Sequence, residues 1–144
     1  MNKKLFLIPL NILGYLFFIL GIAWLIVDEP WMLDKVANEE RIGMTFEKLF
    51  SEDINKSLPG YLKQIYRFFG LWVSIIGLFI IGFSKHRFTE DKSIRNTLLF
   101  CVGFTVYSAL ILAYKFLPSS PFIYVGWGGI FLHLISVLSH RKLN

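Results

Sequence analysis

Four stretches of this chain are long, apolar and free of Asp, Glu, Lys and Arg: Leu5–Val27, Phe68–Ser84, Thr97–Tyr114 and Pro121–Ser139. A helix needs roughly 20 residues to cross the hydrocarbon core of a bilayer. The second block reaches that length only if Tyr61–Arg67 extends the same helix, and no breaker after Gly60 prevents it. Inside lipid each segment must satisfy its own backbone hydrogen bonds, so the blocks are read as helices. The expected fold is an all-α membrane protein, a four transmembrane helix bundle forming one domain over 1–144. Its helices should cover about 4–27, 59–84, 94–116 and 121–139. Composition agrees, since 55% hydrophobic residues are too many for a water-soluble domain of 144 residues. Lys3 and Lys4 ahead of the first block resemble the start of a signal peptide. The block is longer than a typical signal core and lacks a small-residue cleavage site, so a retained helix is expected.

Charge sets the expected orientation. The N-terminal segment, the connection holding Lys85, Arg87, Lys92 and Arg95, and the tail together carry eight basic and two acidic residues. The segment 28–67 carries six basic and eight acidic residues. The positive-inside rule then puts both termini in the cytoplasm and the loop 28–66 outside. The net charge of +5 is thereby a topology signal, directed at anionic headgroups of membrane lipids, and no nucleic-acid partner is expected. Cys101 is the single cysteine, so no disulfide forms within the chain.

The loop 28–58 is too long for a bare connection and is predicted to form an extracytoplasmic cap of short amphipathic helices. Pro30 after Asp28 and Glu29 resembles a helix start, with Met32, Leu33, Val36 and Ala37 on one face. Gly43 breaks that pattern, Thr45 suits an N-cap, and Phe46, Leu49, Phe50 and Ile54 recur at helical spacing.

Small and polar residues mark one face of each long helix. These are Asn11, Gly14 and Gly21; Arg67, Gly70, Ser74 and Gly77; Thr97, Cys101, Thr105 and Ser108; and Gly126, Gly129, His133, Ser136 and His140. Membrane helices pack through such residues, so the faces are expected at the bundle axis. Helix rise places Asn11, His133 and Cys101 at similar depth, and with Thr105 they form a candidate inner polar centre. Arg67 and Asp28, with Tyr66, Tyr114 and Lys115, form a candidate outer centre. Two readings stand for each. His133 either hydrogen-bonds Asn11 or Thr105, or serves a ligand or a proton. Arg67 either snorkels or pairs with Asp28, or anchors an anionic ligand.

Several chemistries are demoted. The spans contain no carboxylate for proton-coupled export, only His133 lies deep enough for a haem axial ligand, and no zinc-ligand cluster or G-x-S-x-G element occurs. No cofactor, metal or catalytic residue is assigned.

Tyr66-Arg67-Phe68-Phe69-Gly70-Leu71-Trp72 opens the second span, and Arg95-Asn96-Thr97-Leu98 opens the third. With the long segment after the first helix, this layout resembles the small bacterial DoxX-like and related four-helix membrane proteins. The resemblance implies the fold and the membrane location, carries over only Arg67 and Gly70, and supplies no activity.

The leading expectation is therefore a non-enzymatic membrane protein that binds a hydrophobic or lipid-like ligand, or a partner protein, through bundle and cap. The alternatives are an accessory subunit of a larger complex and an enzyme acting on a lipid or quinone. Gly70, Ser74 and Gly77 also suit a homo-oligomer. A small-residue stripe left bare after the bundle forms would favour a partner; a cavity beneath the loop would favour a ligand.

Overall fold

The computed structural model describes residues 2–143. They form six α-helices and two 3-10 turns, with no strand among the described residues. The long helices are α1 (Asn2–Ile26), α4 (Leu58–Phe83), α5 (Lys92–Phe116) and α6 (Phe122–His140). Each is long and apolar enough to cross a membrane. Between α1 and α4 lie a 3-10 turn (Pro30–Asp34), α2 (Lys35–Ile42), α3 (Phe46–Ser51) and a second 3-10 turn (Asp53–Asn55).

The exposed residues account for the class. Ile19, Phe68, Phe79, Phe100, Phe104 and Phe131 all point outward. A water-soluble protein does not present so much contiguous apolar surface, whereas lipid solvates it at no cost. Inside, Phe6, Leu10 and Leu13 of α1 are fully buried and meet Ile80 of α4 and Leu98, Leu99, Val102 and Val106 of α5.

Helix ends follow local chemistry. Asp91 caps α5, its carboxylate accepting from the backbone N–H of Ser93 at 2.6 Å. Thr45 caps α3 by accepting from Lys48 N–H at 3.3 Å. Gly43 ends α2 in the left-handed conformation, φ 72°, where a Cβ would be strained. Since α1 begins at Asn2, Pro9 lies two turns inside it and deprives the Leu5 carbonyl of its helical donor. The 26 residues of α4 give a rod of about 39 Å, longer than a ~30 Å hydrocarbon core. Its first turns therefore belong with the cap.

Around the bundle the order is α4–α1–α6–α5. The closest pair is α1 with α4, antiparallel and matched through glycines. A Cβ at Gly77 would fall 2.6 Å from the Gly14 carbonyl oxygen, and one at Gly21 would fall 2.6 Å from that of Gly70. Ser74 lies against Gly21 in the same seam, its hydroxyl turned back to the Gly70 carbonyl at 2.9 Å. Gly126 accommodates Leu110, and Gly129 accommodates Val106 and Leu13. By contrast α4 and α5, joined by the short connection 84–91, barely touch.

The cap has an aromatic core of Trp31, Phe46 and Phe50, with ring centroids 5.5–6.2 Å apart. Trp31, Asp34 and Ala37 are buried, while Met32, Leu33 and Val36 face outward. The 3-10 winding of the first turn moves the buried face by one position from that expected of an α-helix starting at Pro30. Three contacts tie the cap down. Asn38 donates to the Tyr66 hydroxyl at 3.1 Å, Lys63 donates to Asp28 at 2.8 Å, and the Ser120 hydroxyl donates to Asp34 at 2.7 Å.

Candidate functional site

The four residues expected to form an inner polar centre do not converge. Asn11 donates to the Leu7 carbonyl of its own helix at 2.8 Å. The Thr105 hydroxyl donates to the Cys101 carbonyl at 2.8 Å, likewise one turn back. Cys101 is exposed. His133 alone is buried, and it contacts neither Asn11 nor Thr105. Its Nε2 lies 3.0 Å from the Leu99 carbonyl oxygen and its Nδ1 lies 3.4 Å from the Tyr107 hydroxyl. A carbonyl only accepts, so Nε2 donates to Leu99, while the Tyr107 hydroxyl can either donate to Nδ1 or accept from it. Both ring nitrogens are thus engaged. Gly103 makes the room, since a Cβ there would fall 2.9 Å from the ring.

The outer centre is also dispersed. Asp28 is fully exposed and pairs with Lys63 rather than Arg67. The hydrogen bond and charge of Lys63, with a smaller effect of the Arg67 charge, hold its carboxyl below the ordinary carboxylate range. Arg67 itself stands on the exposed face of α4, not beneath the cap. The Tyr114 hydroxyl accepts from Trp127 Nε1 at 2.9 Å, on an exposed surface. Lys115 lies 5.6 Å from the Phe116 ring centroid. Polar side chains near helix ends have water and headgroups within reach, so nothing forces them inward.

Two polar junctions were not evident from residue spacing. Asp34 is 8% exposed, and one of its carboxylate oxygens, Oδ1, has no hydrogen-bond partner. The other receives Ser120, whose Oγ also accepts from Phe122 N–H at 3.2 Å and so fastens the start of α6. At the opposite end Arg95 is 8% exposed. Its guanidinium donates to the carbonyls of Thr89 and Glu90 at 3.0 and 2.8 Å, and to His140 Nδ1 at 3.2 Å. An arginine always donates here, so His140 accepts through an unprotonated nitrogen. Burial of a charge read only as an orientation signal had no marker in sequence except its place one turn into α5.

One concave feature is a groove of about 430 Å³ between α4 and α5, in the half of the bundle that carries both termini. Ile76, Phe79, Ile80 and Phe83 form one wall. The other presents Ser93, Thr97, Cys101 and Thr105 between Ile94, Leu98 and Val102. Phe79 and Phe83 stack at 6.2 Å and form its lip. No charged side chain lines it. Its volume lies within the range of small-molecule sites, which are mostly apolar with few polar groups. It is at the far end from the cap. Among the described residues no three His, Cys, Asp or Glu side chains come together to hold a metal ion.

No protein-family model, no curated protein and no solved structure matches the chain.

Proposed function

We infer that this is a non-enzymatic multi-pass membrane protein whose α4–α5 groove holds a hydrophobic, lipid-like ligand. The side-open, uncharged groove carries this reading. Its two walls belong to helices adjacent in sequence that nevertheless stand apart. The distribution of Lys and Arg supports both termini being cytoplasmic and the cap outside. The groove then opens to the inner leaflet. The layout resembles that of DoxX-like proteins, and that resemblance is what implies a bacterial inner membrane as the location.

Native mass spectrometry of the protein released from its own membranes tests the reading. Wild type should carry a hydrophobic adduct, and Cys101→Phe, which fills the groove, should lose it while keeping its helix content. Wild type without an adduct, or an adduct indifferent to the substitution, refutes it.

A second reading has its own observation. Thr97, Cys101 and Thr105 leave α5 with a small, uncovered edge of the kind membrane helices pack against. The chain would then be an accessory subunit that receives a partner helix there. Bifunctional maleimide cross-linking from Cys101 in native membranes would yield a discrete heavier conjugate if it is one, and only monomer if it is not.

A further inference from the structure

The groove is one of two hollows that flank a single ridge. Phe79 and Phe83 form the lip of the α4–α5 groove and also line a second hollow of about 540 Å³ on the other side of α4. Ile75, Leu78 and Gly82 line that hollow, which ends on Lys85, Arg87 and Phe88. A Cβ on Gly82 would meet nothing within 4 Å, so this side of α4 is open at Gly82. Two apolar channels thus run side by side, separated by two stacked rings, toward the same end of the bundle.

Charge at that end is unbalanced in a specific way. The connection 84–91 and the start of α5 carry two acids, and both are engaged. Glu90 pairs with Lys3 at 3.5 Å and with His86 at 3.3 Å. Asp91 is turned onto the N–H groups of Ser93 and Ile94. Arg95 is buried against carbonyls and His140. Lys85, Arg87 and Lys92 are exposed and make no ion pair among the described residues. Lys85 and Arg87 line the second hollow, and Lys92 precedes Ser93 and Ile94 at the mouth of the groove. Three cations without an ion pair among the described residues therefore lie at this end, two lining the second hollow and the third next in sequence to the groove lining.

Resting on the reading of the groove as a ligand site, we propose that the occupant is an anionic phospholipid. One acyl chain lies between α4 and α5, and the other lies across the Phe79–Phe83 ridge. The phosphate sits against Lys85, Arg87 and Lys92. Two channels fit a two-chain amphiphile better than a single transmembrane helix, which needs one continuous trough. A cation near an anionic headgroup favours it by about fivefold, so three together give a selectivity of at least about tenfold over a zwitterionic lipid.

The test places the full chain in nanodiscs of equimolar phosphatidylglycerol and phosphatidylcholine, then ejects it for native mass spectrometry. Wild type should retain phosphatidylglycerol in at least about tenfold excess. The K85Q/R87Q/K92Q variant should retain lipid without preference. Cys101→Phe should retain neither, with circular dichroism verifying that both variants keep their helices. Equal retention of the two lipids by wild type overturns the anionic assignment and leaves the groove reading standing. A preference that survives in the triple variant also overturns it. No retained lipid in wild type, or a second copy of the chain in its place, overturns both.

Discussion

Replacing Gly77 by Ala adds one methyl group where α4 is pressed against α1. The new Cβ would lie 2.5 Å from Phe18 N, 2.6 Å from Gly14 O and 2.9 Å from Phe18 Cα, all backbone atoms with no rotamer to yield. Ordinary contact begins at 3.4 Å, so α1 must retreat by about 0.9 Å; a gap of that size forfeits a quarter to a half of each neighbouring dispersion contact. Inserting a methylene-sized group into a packed interface costs about 1–3 kcal/mol, and immovable backbone on the far side puts this site toward the upper end. Alanine returns up to ~1 kcal/mol of helix propensity. The net expectation is a loss of about 1–2 kcal/mol. Gly128→Ala is the control. Nothing lies within 4 Å of its Cβ, so propensity acts alone and the variant should be neutral or slightly more stable. SDS titration in mixed micelles, followed by circular dichroism, compares them. Because one retreat of α1 relieves both sites, the Gly14→Ala/Gly77→Ala double variant should lose less than the sum of the singles. Equal stability of Gly77→Ala and Gly128→Ala would refute the argument.

Three further outcomes follow from the polar junctions. Arg95→Met removes donors from two turn carbonyls and from His140, and should cost at least ~2 kcal/mol; limited proteolysis should then cut within 84–91 faster than in wild type. Asp34→Asn keeps an acceptor for Ser120 while removing a buried charge with one unpartnered oxygen, so it should be neutral or stabilising; Ser120→Ala should cost about 1–2 kcal/mol in the same SDS titration. For Asp28, whose folded-state pKa is lowered, pairing with Lys63 contributes above the ordinary aspartate pKa and is lost as pH falls through the lower folded value. Carbon-13 titration of its carboxyl should give a midpoint below that of a free aspartate, and Lys63→Gln should raise it.

How far sequence carried depended on what each signal means physically. A charge-free block of membrane length leaves few alternatives, and four such blocks announce four long helices. A glycine inside a helix is a steric statement, and Gly14, Gly21, Gly70 and Gly77 do lie against facing backbone. A hydroxyl or amide on the same face says less, because it can be satisfied one turn away. Asn11, Thr105 and Ser74 all bond back to their own helices. His133 cannot do so and reaches α5, but its partners Tyr107 and the Leu99 carbonyl were invisible, since backbone acceptors carry no residue code. Charge count was read as orientation, and that reading hid the burial of Arg95 and Asp34.

The open seam between α4 and α5 follows from how the close-packing edges are distributed. The small edge of α4, Gly70, Ser74 and Gly77, is occupied by α1. The one glycine in α5, Gly103, is filled by the imidazole of His133 from α6. What remains facing the seam is bulky on α4, with Ile76, Phe79 and Phe83, and small on α5, with Thr97, Cys101 and Thr105. In water that mismatch would collapse, because burying these three apolar side chains outweighs imperfect fit. In a bilayer, acyl chains solvate Phe79 as well as a neighbouring helix does, so no hydrophobic drive closes the gap. Closing it would require a contact geometry that these side chains do not offer. An apolar groove that stays open to lipid is therefore the consequence of pairing α4 with α1 and α5 with α6 in a solvent of hydrocarbon.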